Sequence, residues 1–352
     1  MPHRFTLSAA ILTVTLAVAA TDATFNTAWA QQSVADFYKG KTFRVVVGSS
    51  ESSGVDILAR VAARHLPKHM DGKPTIIVQN MPQPESIAAA NHIYNVAEKD
   101  GLTIGAGSSG LFSRAISQPN IRFDLDKFTW IANLYTATVL YWMRTDFPCQ
   151  TIEELAKCPQ PIKFGATAKG STGYGLVPEM LKDAFKLNMD MIYGYRNKDI
   201  ELAIERNEVH ASGGDIIGFL GGRGKQLLDD GKVKILLQVS GQKAPALAKY
   251  DVPWVMDVIP ESHRALFTMV NPILDLARSY FAPPGIPADR AAMLREAFAK
   301  TAVDPEFIAE TKKVASIEPI LTRGEEMQRA IVAMLDQPPE VKNKVVGLLT
   351  SK

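Results

Sequence analysis

Cysteine is scarce in this sequence, at two residues in 352, so Cys149 and Cys158 can form one bridge at most. An excess of either charge is also missing: 39 basic and 37 acidic residues leave a formal net charge of +2, with no like-charge block long enough to make a polyelectrolyte tail. That balance argues against a nucleic-acid surface and for a partner other than a polyanion. Apolar runs are short. The longest, Leu7 to Ala20, covers roughly 14 residues, below the ~20 that span a bilayer. Internal repeats and low-complexity tracts are absent, as is a G-x-S-x-G nucleophile elbow.

The same apolar run follows Arg4 and closes with Ala28-Trp29-Ala30 before Gln31-Gln32, which is the pattern of a secretory signal over residues 1–30 with an A-x-A cleavage site. The remainder is long enough for two domains at ~100–200 residues each, and 46% hydrophobic residues supply a core for both. Export would place the cysteines in an oxidising compartment, where a pair tends to close. Thr151 to Lys157 has helical character, however, and a straight helix at ~1.5 Å per residue would separate the two Cα atoms by more than the ~7 Å a disulfide tolerates. The bridge therefore requires the ends to curl back, and both states stay open.

Short β-branched runs alternate with amphipathic stretches along the chain, the signature of α/β architecture with mostly parallel strands. Strands are expected at 42–48, 75–79 and 102–106, with helices at 56–69 and 86–97. After a break the rhythm restarts, with strands near 162–166, 191–195, 211–216 and 233–239 and helices near 175–185 and 199–207. Strand-like sequence returns at 265–270 and 278–281, and a charged helical tail begins at Ala288. Two sets of βα units followed by a return predict two lobes crossed twice by the chain.

Several motifs match chemistry only in outline. Gly105-Ala-Gly-Ser-Ser-Gly110 fits the dinucleotide pattern, but it follows the third expected strand instead of opening the sheet. His65 and His69 have zinc-ligand spacing, yet Pro67 lies between them without a glutamate, which points to surface residues. Gly221-Gly-Arg-Gly-Lys225 lacks the Ser or Thr of a phosphate loop and reads as a turn after a helix. What remains is a set of small-residue loops at the carboxyl ends of expected strands, where open α/β sheets bind ligands. Gly48-Ser-Ser-Glu-Ser-Ser-Gly54, Gln83-Pro-Glu-Ser86, Gly107-Ser-Ser109 and Ala168-Lys-Gly-Ser-Thr-Gly173 each lead toward a helix start, where unpaired backbone N–H groups favour anions.

The order of these segments resembles the Bug family, the extracytoplasmic solute receptors of tripartite tricarboxylate transporters, over essentially the whole chain after the signal. Phe43-Arg-Val-Val-Val-Gly48, Gly54-Val-Asp56 and Ile57-Leu-Ala-Arg60 are similar to that family's first strand, ligand loop and helix. Val78-Gln-Asn-Met-Pro82, Lys99-Asp-Gly-Leu-Thr-Ile104, Phe164-Gly-Ala-Thr167, Gly194-Tyr195 and Ala282-Pro-Pro-Gly-Ile-Pro287 continue the likeness. The resemblance implies a class II periplasmic-binding fold closing like a hinge on a carboxylate, with delivery to membrane permease subunits. Two loops depart from the family pattern: Ser52-Ser53 stands where consecutive glycines are usual, and Pro82-Gln-Pro-Glu-Ser86 replaces Pro-Gly-Ala-Gly. Glu51 and Glu85 would repel an acid unless they face solvent or are neutralised, so the first lobe is expected to read a neutral or cationic group, while Lys169, Arg196 and Lys198 in the second lobe offer charges to an acidic one.

The expected protein is thus a periplasmic α/β receptor, monomeric and free of cofactor and metal, with one lobe from 31–133 and 265–352 and the other from 134–264. Its ligand-binding candidates in the first lobe are Ser49, Ser50, Ser53, Gly54, Asp56, Pro84, Glu85, Ser86, Ser108 and Ser109. In the second lobe they are Ala168, Lys169, Gly170, Ser171, Thr172, Tyr195, Arg196 and Asp215. The rival expectations are an exported enzyme on the same fold and a sensor subunit for a membrane kinase.

Overall fold

Strand β1, Thr42–Val47, buries Phe43, Val45, Val46 and Val47, a nearly continuous apolar run suited to a strand covered on both faces. The computed structural model that contains it describes residues 33–81, 86–117, 121–167, 172–195, 197–315 and 318–350. The signal expected over 1–30 lies outside them. Around β1 the chain runs α1 (Val34–Tyr38), α2 (Gly54–His65), β2 (Thr75–Asn80), α3 (Ile87–Asn95), β3 (Thr103–Gly107), α4 (Ser109–Ser117) and β4 (Thr129–Asn133). It then enters β5 (Val139–Arg144), α5 (Ile152–Leu155), β6 (Ile162–Gly165), α6 (Val177–Phe185), β7 (Met189–Ile192) and α7 (Asn197–Glu205). β8 (Ala211–Asp215), α8 (Ile216–Leu220), α9 (Arg223–Asp229), β9 (Val233–Val239) and α10 (Val255–Val258) follow. The return comprises α11 (Glu261–Asp275), β10 (Ser279–Ala282), α12 (Ala288–Ala302), α13 (Pro305–Ala315), β11 (Thr322–Arg323), α14 (Gly324–Leu335) and α15 (Pro339–Thr350).

Two sheets result, ordered β11-β4-β10-β3-β1-β2 and β7-β6-β8-β5-β9. The expectation of mostly parallel strands needs correction. β1 is parallel to β2 and β3, and β6 to β7 and β8, but β10, β4, β11, β5 and β9 pair antiparallel. The strands that carry the chain between sheets account for part of this: β4 leaves the first sheet, β10 returns to it reversed, and they run side by side in opposite directions. A second correction concerns 265–270, which is helical within α11. Leu266, Phe267, Met269, Val270, Ile273 and Leu274 are all buried, because α11 packs against α4, α14 and α15. A helix enclosed on several sides shows no clean period, so its sequence mimics a buried strand. Likewise 191–195 is strand only as far as Ile192, and Gly194 at φ 103° turns the chain.

One buried cluster is continuous between the sheets, from Val46, Phe112, Trp130 and Phe281 through Phe267 and Val270 of α11 to Tyr141, Phe164 and Leu237. A second, with Tyr38, Phe43, Leu58, Tyr280 and Phe298, covers the other face of the first sheet. A third, with Leu140, Trp142, Ile200 and Phe219, covers the outer face of the second. Cys149 and Cys158 are bonded, with Cα atoms 6.1 Å apart. Helix α5 is only four residues long, so the chain curls back within the span a disulfide allows.

The chain crosses between sheets at 134–138 and again between β9 and β10. Asn133, fully buried, ties the crossings together: its Nδ2 donates to the carbonyls of Tyr135 (2.9 Å) and Asp275 (3.0 Å), and its Oδ1 accepts from the Arg278 amide (2.9 Å). Asn133→Ala would orphan three buried backbone groups and is expected to cost about 2–4 kcal/mol in urea unfolding. A loss under ~1 kcal/mol would mean the crossings are held by other means.

At the second crossing the Asp275 carboxylate accepts from the Gly241 amide at 2.7 Å. Burial pushes its carboxyl up to about 7, with the Gly241 bond offsetting part of the rise. An acid whose folded pKa is raised costs nothing below its unfolded pKa, and the cost grows as pH climbs to the folded value. Stability is therefore expected to fall across roughly pH 4 to 7 and level off above it. Asp275→Asn should remove about 4 kcal/mol of that decline, measured as urea midpoints at pH 4, 5.5, 7 and 8. Parallel pH profiles for the two proteins would rule the assignment out.

Candidate functional site

The first-lobe loops at the carboxyl ends of β1, β2 and β3 are bonded to one another. Ser86 Oγ donates to the Gly48 carbonyl at 2.9 Å and accepts from the Ser108 amide at 3.1 Å. Ser49 and Ser53 share a hydroxyl contact of 2.6 Å, and Asn80 donates to the Ser49 carbonyl at 3.0 Å. Ser53 caps α2, accepting from the Asp56 amide at 3.2 Å. Asp56 is 2% exposed. Burial opposes its charge, but bonds from Arg60, Asn80 and the Ser52 amide outweigh that and hold the carboxyl below the usual range. Asp56 therefore organises the loop and has little left to offer a ligand. Ser50 and Glu51 are exposed, while Ser109 begins α4. Pro84 and Glu85 lie outside the described residues.

Ser52 (φ 62°) and Ser86 (φ 67°) keep the left-handed backbone that glycine adopts freely. Gly48 must be glycine because a Cβ there would meet Ser86 Cβ at 2.6 Å. The dinucleotide-like glycines have a packing reason too, since a Cβ on Gly105 would strike the Phe281 ring at 2.5 Å.

In the second lobe, Ala168, Lys169, Gly170, Ser171 and Arg196 fall outside the described residues. Thr172 opens a turn that continues into α6, and the Gly173 carbonyl accepts from Tyr141 at 2.7 Å. Asp215, at the end of β8, caps α8 by accepting from the Ile217 amide (2.8 Å), accepts from the Tyr135 hydroxyl (2.6 Å), and donates its own amide to Tyr174 Oη (3.1 Å). Tyr195 packs toward the outer core of this lobe, and its hydroxyl lies 3.5 Å from Glu208, at the limit of a hydrogen bond.

Sequence reasoning missed Arg278, Tyr135 and Glu201. The Arg278 guanidinium sits over the Tyr135 ring, 5.5 Å from its centroid, and against Gly54, where a Cβ would lie 2.6 Å from Nη2. Its Nη1 donates to the Ala277 carbonyl at 2.7 Å, and its buried Nε has no partner among the described residues. Burial lowers its pKa. Only its place just before β10 distinguishes it in the sequence. Contacts therefore run in series from Gly54 through Arg278 and Tyr135 to Asp215. Two cavities flank this line: one of about 580 Å³, largely apolar, between Thr136, Ile217, Leu220 and Ile320, and one of about 410 Å³ beside Asp215, Tyr174 and Glu201.

The histidine pair is not a surface feature. His65 is 7% exposed and bonds Glu310 at 2.7 Å, and His69 meets Asp304 at 3.0 Å, both at the end of α2 remote from Gly54. Donor atoms of His65, Asp304 and Glu306 lie within 4.8 Å of one another, but the Lys68 ammonium already pairs with both carboxylates. Gly221 and Gly222 form the turn between α8 and α9, as the sequence suggests.

Two sheets, two crossings and loops converging between them define a two-lobed solute-binding protein of the periplasmic receptor type. The family described as the tripartite tricarboxylate transporter family receptor matches residues 58–344, and the chain belongs to that family. A UPF0065 protein of Bordetella pertussis is 25% identical over 338 residues, covering 95% of each chain. A solute-binding protein of this family from Polaromonas, solved without ligand, superposes with a TM-score of 0.69 at 19% identity, covering 89% of this chain and 99% of that one. A Rhodopseudomonas palustris protein solved with adipate gives a TM-score of 0.53 at 19% identity, covering 87% and 97%.

If the strained serines stand in for glycine, replacing them should give opposite results. Ser52→Gly relieves a left-handed backbone without removing a side-chain bond and should stabilise by about 0.5–1 kcal/mol. Ser86→Gly loses two buried hydrogen bonds and should destabilise by about 1 kcal/mol. Thermal unfolding of the two variants decides it, and shifts of the same sign would contradict the assignment.

Proposed function

We propose that this protein captures a carboxylate-bearing organic solute in the periplasm, after cleavage of a signal over residues 1–30, and presents it to the permease subunits of a tripartite transporter. Residues 31–133 with 265–352 form one lobe and 134–264 the other, and the monomer binds without covalent chemistry or cofactor. The observation that carries the reading is Arg278. Its guanidinium lies against the amino terminus of α2, so two positive groups converge at Gly54, and no carboxylate pairs with the arginine among the described residues. Asp56 in the same helical turn is taken by Arg60. Such a convergence is costly unless an anion completes it. The neighbour solved with adipate supports a carboxylate as that anion.

Arg278→Gln keeps the backbone amide that Asn133 holds and removes only the charge. Titration calorimetry against mono-, di- and tricarboxylates should show affinity falling about 10- to 100-fold, the worth of one charge-assisted bond. Unchanged affinity would place the anion elsewhere.

A further inference from the structure

We infer that the cavity beside Asp215 receives a cationic nitrogen of the solute with Glu201 as its counter-charge, so that the preferred solute carries an ammonium group as well as a carboxylate. This rests on the carboxylate reading for the other end of the molecule. The cavity, about 410 Å³, is walled by the end of β8, the start of α7 and the turn between α8 and α9.

Charge is the first argument. Glu201 and Asp215 both line the space, and Glu201 has no ion-pair partner among the described residues. The one cation among the described residues of the wall, Arg223, is engaged by Glu205, which Lys232 also approaches at 3.9 Å. Among the described residues the lining therefore carries two acids to one engaged cation. Burial pushes the Glu201 carboxyl above the ordinary value, with Arg223 opposing only in part. A nearby ammonium would relieve that penalty.

The walls supply the second argument. Trp142 and Tyr174 line the cavity, and an added Cβ on Gly214 would meet their rings at 2.9 and 3.3 Å, so glycine is what lets the two rings border the space. Aromatic faces beside carboxylates attract an ammonium group. Trp142 is 2% exposed, and its indole Nε1 has no acceptor among the described residues. An ammonium group, as in an α-amino-acid head, would set its charge against Glu201.

Adipate and 2-aminoadipate differ by one ammonium group and separate the two halves of the proposal. Calorimetry should show 2-aminoadipate binding at least about tenfold more tightly than adipate. Glu201→Gln should erase that preference, while Glu201→Lys should invert it, and unaltered thermal unfolding would show both variants folded. If adipate binds as well as 2-aminoadipate, or the preference survives both substitutions, the cation site is wrong and the carboxylate reading stands. If neither acid binds while 1,6-diaminohexane does and depends on Glu201, the cation site stands and the carboxylate reading fails. Binding of none of the three overturns the inference.

Discussion

Everything that could act as a binding cleft in this protein depends on how two crossing segments are held in one place. Asn133 is the side chain that does so, sitting at the end of β4 and bonding both the segment that leaves the first sheet and the one that returns to it. Its two donors and its acceptor all engage backbone groups, so it acts as a fixed pin. Because the pinned amide belongs to Arg278, the same contact that joins the lobes sets the position of the guanidinium at Gly54. Tyr135, whose carbonyl Asn133 also holds, carries the contact onward to Asp215 in the second sheet. Architecture and electrostatics of the site thus share one anchor.

The first-lobe loops illustrate how a family backbone survives a change of side chains. Serine at Ser52 and Ser86 occupies left-handed φ values, and in the second case the hydroxyl compensates by linking Gly48 to Ser108. Glu51, which would have repelled an acid from within the cleft, is exposed.

Much of this order was legible in the sequence because the βα rhythm is local. β1, β2, β3, β6, β8 and β9 fall close to the positions that apolar periodicity suggests, and the ordered spacing of loops carried the family resemblance. What was not legible depends on contacts between distant segments. β4 and β5 were overlooked because the strands that join lobes have no helix between them, and 265–270 passed for a strand because α11 is enclosed by α4, α14 and α15. The bond between Cys149 and Cys158 hinged on the length of one short helix, which propensity could not fix. At the site, Asp56 and Tyr195 have the right location in the chain but are committed to neighbours, while Arg278 has no motif at all and Glu201 lies within the family-like segment Asp199-Ile-Glu-Leu-Ala203 with nothing to single it out.

The two missed residues also explain why the cleft is polar in a directed sense. On the first-lobe side, a helix amino terminus and Arg278 converge with no carboxylate paired to the arginine among the described residues; on the second-lobe side, Glu201 and Asp215 border a space whose one described wall cation is engaged by Glu205. If these charges served stability alone, each would be expected to find its opposite within the lobe, as Asp56 does with Arg60 and as Asp183 does with Lys186. Leaving them apart carries a desolvation cost that a bridging solute with complementary ends would offset. Such a ligand would bind the closed arrangement better than either lobe alone, which is the differential affinity that any closure mechanism requires.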